Sequence, residues 1–269
     1  MSYDVAGSSP GTIAAAGALR RLVAQRSVAL GGWCMVPSAF SAEIVSASGC
    51  DWMCIDTQHG LIDDAAMRVM IQAAAIRATP VFVRVAWNDP AAIMRALDAG
   101  AEGVIVPLVN SAEEARAAAA ACRYPPLGSR SWGPVRSGMA QPGFTAALGN
   151  EQTVLLVMVE TEQAYGNLEE ILSVPGIDGV LVGPNDLALS HAGTNEGAGT
   201  SPYDVEMIEA IAAGCRRHDL AAGISIGSSA DARRWIDAGY TLVGLANDAT
   251  VLARGLADLL ADARRPAGA

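Results

Sequence analysis

The residues that could do chemistry fall at the ends of short apolar runs. One run closes on Asp56-Thr-Gln58-His59-Gly60, and another carries Arg84 ahead of Trp87-Asn88-Asp89. A third ends in Glu160, a fourth leads into Gly183-Pro184-Asn185-Asp186, and Trp33 stands near the end of the first. Glu160 and Asp186, brought together from neighbouring runs, would offer two hard oxygen ligands with room for water, which suits an octahedral cation such as Mg²⁺ or Mn²⁺. Each acid could instead serve the start of the following helix, where negative charge is favourable; their pairing on adjacent runs is what favours a metal. An imidazole is the side chain that ordinarily titrates near neutrality, so a histidine at position 59, beside Asp56 and Gln58, suits proton transfer. Standing alone, it would read as a hydrogen-bonded structural histidine. Arg84 follows an apolar Val-Phe-Val run and needs an anion beside it. That anion is either a substrate carboxylate or enolate, or a structural acid such as Asp56, and both can hold at once. Of the other histidines, His218 lies in a polar Arg-Arg-His-Asp stretch and reads as solvated surface, and His191 reads as a rim residue.

An absence narrows the chemistry further. All 18 basic residues are arginine, with no lysine from end to end. A Schiff-base aldolase, a pyridoxal-phosphate enzyme and a Walker P-loop each need a lysine amine, which a delocalised, strongly basic guanidinium does not replace. Any carbonyl chemistry here must therefore use another electrophile. The formal charge of −10, with arginines scattered rather than striped, argues against a nucleic-acid partner. Five cysteines, an odd number without a CxxC pair and mostly inside apolar segments, fit a reduced cytoplasm. Every apolar run is far shorter than the roughly 20 residues of a membrane span, so no transmembrane helix is expected. Residues 1–17, with Asp4 and no basic-then-apolar sequence, read as a flexible lead-in rather than a secretory signal.

The elements that must position these residues follow from periodicity. Strands are expected at Val28–Met35, Asp51–Gln58, Pro80–Val85, Gly103–Val109, Thr153–Glu160, Asp178–Gly183, Ala222–Ile226 and Thr241–Ala246. Between them, Asp64–Arg77, Pro90–Asp98, Ser111–Arg123, Tyr203–His218 and Ala230–Ala238 repeat apolar residues at helical spacing. Such alternation demands parallel strands with helical crossovers. Eight units in 269 residues fit one closed (β/α)8 barrel over residues 18–265 better than an open doubly wound sheet. In such barrels the active site lies at the carboxyl ends of the strands, where the polar residues above are found. Asp89-Pro90 and Ser111-Ala-Glu-Glu114 supply helix-start signals. A long irregular stretch, Tyr124–Asn150, separates strands four and five, and a polar one, Ser190–Pro202, follows strand six.

These residues lie in blocks that resemble a known family. Ala47–Asp63, with Gly-Cys-Asp-Trp-Met-Cys-Ile-Asp-Thr-Gln-His-Gly-Leu, is similar to the HpcH/HpaI aldolases, metal-dependent pyruvate aldolases of aromatic and sugar-acid catabolism. Val83-Arg-Val-Ala-Trp-Asn-Asp-Pro90, Arg95-Ala-Leu-Asp-Ala-Gly100, Val104-Ile-Val-Pro107, Arg123-Tyr-Pro-Pro126, Val159-Glu-Thr161, Gly183-Pro-Asn-Asp-Leu187 and Leu252-Ala-Arg254 extend the likeness in order from about Gly32 to Leu260. The resemblance implies a (β/α)8 barrel and cleavage of 4-hydroxy-2-oxo acids to pyruvate, or a close 2-oxo acid, plus an aldehyde, with oxaloacetate decarboxylation as a side activity. It implies that Glu160 and Asp186 ligate Mg²⁺, Mn²⁺ or Co²⁺. Arg84 would hold the keto oxygen, His59 would act as acid/base beside Asp56 and Gln58, and Asp98 would support the histidine of a neighbouring subunit. Trp33 would wall the pocket, and the backbone of Gly183, Pro184, Asn185 and Asp186 would receive the substrate carboxylate. Two departures bear on acceptor choice and base activation, since dicarboxylate-cleaving relatives often carry Glu where this chain has Gln58 and Gln where it has Met158.

The Gln-His-Gly version also resembles macrophomate synthase, whose reaction starts by decarboxylating oxaloacetate and adds the enolate to a pyrone. An acyl-CoA lyase ranks lower for want of a basic entrance, since Arg130 and Arg136 stand isolated in the long loop. A non-catalytic 2-oxo-acid-binding barrel is the alternative from another class. The final helix, Asp248–Ala263, gathers Val251, Leu252, Leu256, Leu259 and Leu260 on one face. Periodicity alone packs it on its own strands, whereas the family implies exchange between subunits in a hexamer built as a trimer of dimers.

Overall fold

The computed structural model describes residues 17–265, so the lead-in expected at residues 1–17 lies outside the described residues except for Gly17. Eight parallel strands close into a barrel in sequence order: β1 (Ala29–Cys34), β2 (Trp52–Asp56), β3 (Val81–Arg84), β4 (Gly103–Val106), β5 (Val154–Met158), β6 (Gly179–Val182), β7 (Ala221–Ser225) and β8 (Leu242–Asn247). Each lies within, or one residue beyond, its expected run. The β-branched, uninterrupted character of the runs is explained by burial on both faces.

Side-chain alternation along each strand separates two cores. One parity points outward, where Met53, Ile55, Val81, Val83, Val104, Val106, Leu155, Val157, Val180 and Val182 pack under the helices. The other points into the barrel, which is filled by Trp33, Trp52, Cys54, Phe82, Ile105, Val154, Leu156, Met158, Leu181 and Leu242. Glycines make room for the rings: a methyl added at Gly31 would stand 2.3 Å from Trp52, and one at Gly244 3.1 Å from Trp33. Trp52 stacks edge-on against Phe82 at 5.6 Å, and its indole N–H donates to the Ala29 carbonyl at 3.2 Å. Inward parity then continues upward, from Cys54 to Asp56, from Phe82 to Arg84 and from Met158 to Glu160. The apolar filling of the barrel therefore becomes a polar mouth without any change of register.

The outer helices follow the expected pattern. They are α2 (Ala39–Ala47), α3 (Asp64–Ala75), α4 (Pro90–Asp98), α5 (Ala112–Cys122), α10 (Pro184–Ala192), α11 (Pro202–Arg217) and α12 (Ser229–Asp237), with the short α8 (Glu162–Gly166) and α9 (Leu168–Leu172) together spanning one crossover. Asp89 caps α4 by accepting from Ala91 N–H at 2.7 Å, and Ser111 caps α5 by accepting from Glu114 N–H at 3.2 Å. Glu114 reaches back to the Asn110 amide rather than to that of Ser111, so the capping box is shifted by one residue.

Three features differ from the sequence reading. α1 (Ala18–Gln25) plugs the amino-terminal end of the barrel with Leu19 and Val23, and the Leu19 amide donates to Glu102 at 3.0 Å. Two polar residues in its middle, Arg20 and Arg21, disguised it. The stretch expected to be irregular contains α6 (Val135–Ala140) and the start of α7 (Ala146–Gln152). It is pinned by buried Arg130, which pairs with Asp98 at 2.6 Å and lies over the Tyr124 ring at 4.5 Å. Finally, α13 (Asp248–Ala263) buries none of its residues, and its apolar stripe is 44–72 % exposed. Packing on its own strands, the simplest expectation from periodicity, is not what the chain does. Among the described residues, no helix is long and apolar enough to cross a membrane.

Candidate active site

Asp56 and Arg84, last residues of β2 and β3, are paired across the sheet. Their side chains are joined twice: Arg84 Nε donates to Asp56 Oδ1 at 3.0 Å, and Nη2 donates to Oδ2. The structural partner foreseen for Arg84 is therefore real, and it is Asp56. Asp56 also accepts the Trp33 indole N–H at 3.2 Å and the amides of Gln58 at 3.0 Å and His59 at 3.2 Å. Burial pushes its carboxyl up, but the hydrogen bonds and charge of Arg84 outweigh that and hold it below the usual range. Burial likewise disfavours the guanidinium charge, and Asp56 more than restores it. The fork is thus fixed on one edge, while on the other Nη1 donates a long, weak hydrogen bond to Met158 Sδ at 4.0 Å. Trp33 closes the other side, its ring 5.1 Å from the guanidinium carbon.

Glu160 is the opposite case. It lies two residues past β5 and is 1 % exposed. Its Oε1 accepts the Leu108 amide at 2.9 Å, but its Oε2 is buried with no hydrogen-bond partner among the described residues. Burial, helped by the nearby Asp186 charge, pushes its carboxyl up to about 7. Gly183 leaves room for this carboxylate, because a methyl at that position would stand 2.5 Å from Oε2 and displace it. Asp186 projects from the first turn of α10, whose amino terminus lacks a side-chain cap. A buried, donorless carboxylate oxygen beside a second carboxylate is the electrostatic environment a divalent cation would satisfy. Neither acid acts as a helix cap, since Thr161 caps α8 by accepting from Ala164 N–H at 3.0 Å. Among the described residues no group of three His, Cys, Asp or Glu side chains gathers, so the remaining ligands of an ion here would be water and substrate.

Gln58 is half-buried, with its Oε1 enclosed and without a donor among the described residues. His59 is exposed, and its ring makes no hydrogen bond to the described residues of this chain. Asp98 is not brought to this mouth within one chain. It ends α4, which runs away from the mouth, and pairs with Arg130. His191 is no rim residue: its Nε2 lies 2.6 Å from Oδ1 of buried Asp204, tying α10 to α11. His218 is held 2.8 Å from Glu169 rather than fully solvated.

Leu108 was not foreseen as a site residue. Its φ of 52° is a left-handed conformation seldom adopted without glycine, and it turns the amide onto Glu160. The contribution is entirely backbone, so the side-chain type gives no signal; Pro107 and Asn110, whose side chain donates to the Leu108 carbonyl at 3.0 Å, are the cues that mark the turn.

The chain is 39 % identical over 241 residues to a hydroxypyruvate/pyruvate aldolase of Rhizorhabdus wittichii, covering 88 % of this chain and 94 % of that one. It is 36 % identical over 238 residues to a 4-hydroxy-2-oxo-heptane-1,7-dioate aldolase of Salmonella paratyphi A, covering 86 % and 89 %. A crystal structure of an HpcH/HpaI aldolase/citrate lyase family protein from Burkholderia cenocepacia superposes with a TM-score of 0.87 at 29 % identity, over 93 % of this chain and all of that one. The profile of the HpcH/HpaI aldolase/citrate lyase family matches residues 30–254, and the chain belongs to that family.

Proposed function

We propose that this chain, a carbon–carbon lyase of the aldolase type, reversibly cleaves 4-hydroxy-2-oxo acids to pyruvate or a close 2-oxo acid and an aldehyde, with Glu160 and Asp186 holding a divalent cation. The observation that carries this reading is the pairing of a buried, partnerless Glu160 oxygen with a pre-oriented Arg84 at one barrel mouth. When bound, Mg²⁺, Mn²⁺ or Co²⁺ would polarise the keto group and acidify the carbon beside it. Arg84, fixed by Asp56 and walled by Trp33, donates to the oxygen on which enolate charge develops. This role replaces the lysine that the chain lacks. The uncapped amides of Asn185 and Asp186, at the start of α10 after Gly183 and Pro184, suit the substrate carboxylate. His59, exposed at the same mouth, takes the proton of the 4-hydroxyl, and Gln58 flanks it. Asp98 supports the histidine of a second copy, and the exposed stripe of α13 supports exchange of that helix within a hexamer.

Pyruvate alone tests the enolisation step. In D₂O with Mn²⁺ its methyl protons should exchange, read by proton NMR, and exchange should fall to the background rate in Glu160→Gln and Arg84→Met. Exchange that persists in both substitutions would remove the basis for these roles.

A further inference from the structure

We propose that Asp248, the first residue of α13, is a positioning residue for His59. Its carboxylate gathers four donors. Oδ1 accepts the amides of Met35 at 2.8 Å, Val36 at 3.3 Å and Ala249 at 2.9 Å, while Oδ2 accepts the Val36 amide at 3.3 Å and the Ser41 hydroxyl at 2.5 Å. Met35 and Val36 are the residues by which the chain leaves β1 beyond Trp33. Met35 passes the constraint on, because its carbonyl accepts the Leu61 amide at 3.2 Å, two residues past His59.

Gly60 fills the gap between these strands of backbone. A methyl there would stand 2.2 Å from the Asp56 carbonyl oxygen and 3.2 Å from Met35 Cα. On the inner side, the His59 amide is held by Asp56 Oδ1. Residues 58–61 are therefore gripped by Asp56 on one side and by the Met35 backbone, past the end of the neighbouring strand, on the other, and Asp248 holds Met35. Within one chain the His59 ring has no hydrogen bond of its own among the described residues, so the backbone grip sets where the ring stands when Asp98 of a second copy meets it. A carboxylate suits the task, since it accepts at both oxygens, whereas an asparagine would turn an amide nitrogen toward part of the donor set.

The inference rests on the reading of His59 as the base, and two reactions of the same mouth separate the two claims. In aldol cleavage the base takes the proton of the C4 hydroxyl, the C3–C4 bond breaks with its electron pair retained as the enolate, and C4 departs as the aldehyde. Oxaloacetate decarboxylation also breaks C3–C4 and leaves the pair on the same enolate, but it releases CO₂ and removes no hydroxyl proton. Asp248→Asn should lower kcat for aldol cleavage on the order of tenfold through misplacement of the base. The KM, the decarboxylation rate and the Mn²⁺ affinity read by direct titration should stay within about twofold.

Equal loss of both activities, or an unchanged ratio between them, overturns the positioning role. His59→Ala is the control. If it leaves the ratio unchanged, the base reading falls and the positioning role falls with it; if it shifts the ratio and Asp248→Asn does not, only the positioning role falls. Should Asp248→Asn fail to fold, Ser41→Ala, which removes one donor to Oδ2, must shift the ratio in the same direction by a smaller factor, and no shift there overturns the proposal.

Discussion

Asp56 and Arg84 satisfy one another, whereas Glu160 keeps an unused acceptor, and this contrast sets what each substitution does. Asp56→Ala strands a buried guanidinium and should destabilise the fold by about 3–5 kcal/mol, measured by urea unfolding. Glu160→Gln should abolish Mn²⁺ binding without such a penalty. The sign of the pH effect follows from the raised carboxyl. The metal-free folded chain keeps this proton up to about pH 7, while the unfolded chain loses it near the ordinary value of 4.5. Stability from this group is therefore lost as pH rises through that window. A cation must displace the same proton, so Mn²⁺ affinity should weaken as pH falls below about 7, measured by titration across that range. The strand-end acids, Arg84 and His59 were legible in the sequence because each closes an apolar run. His218 lies at the surface as its polar stretch indicates, beside exposed Glu169, whereas the tie of His191 to buried Asp204 was not legible, because that partner comes from another element and local polarity gives no sign of such a pair.

At the scale of elements, inward parity from Cys54 to Asp56 and from Met158 to Glu160 makes the site an extension of the core. Gly183→Ala should fold normally yet lose most Mn²⁺ affinity and aldol activity, because the added methyl occupies space against Glu160 Oε2. A retained metal affinity would show that the carboxylate can retreat. The barrel itself was legible, since strands buried on both faces leave continuous apolar runs that polar turns interrupt. α1 and the short helices α6 and α7 were not. They are eight, six and seven residues long, too short for a pattern to stand out, and the packing that holds α1 and α7 is tertiary: Leu19 of α1 lies against Gly103, and Phe144 lies against Gly149 of α7.

For the whole molecule, α13 leaves Leu252 72 % and Leu259 69 % exposed, an apolar stripe that the proposed hexamer would bury between copies. Replacing both with Asp should convert the assembly to smaller species in analytical ultracentrifugation, with the barrel's circular dichroism unchanged. An unaltered sedimentation coefficient would show that the stripe takes no part in assembly. Asp98 belongs to the same scale, because among the described residues of its own chain its partner is Arg130. The central claim, a cation-dependent aldolase without lysine chemistry, is tested most directly by pyruvate release from a panel of 4-hydroxy-2-oxo acids and oxaloacetate, after chelation and again with Mg²⁺ or Mn²⁺ restored. Cleavage of hydroxy-oxo acids is expected only with the cation present, and is expected to be lost in Glu160→Ala. Decarboxylation of oxaloacetate alone would instead favour a macrophomate-synthase-like reaction, and no turnover with any metal would contradict the mechanism.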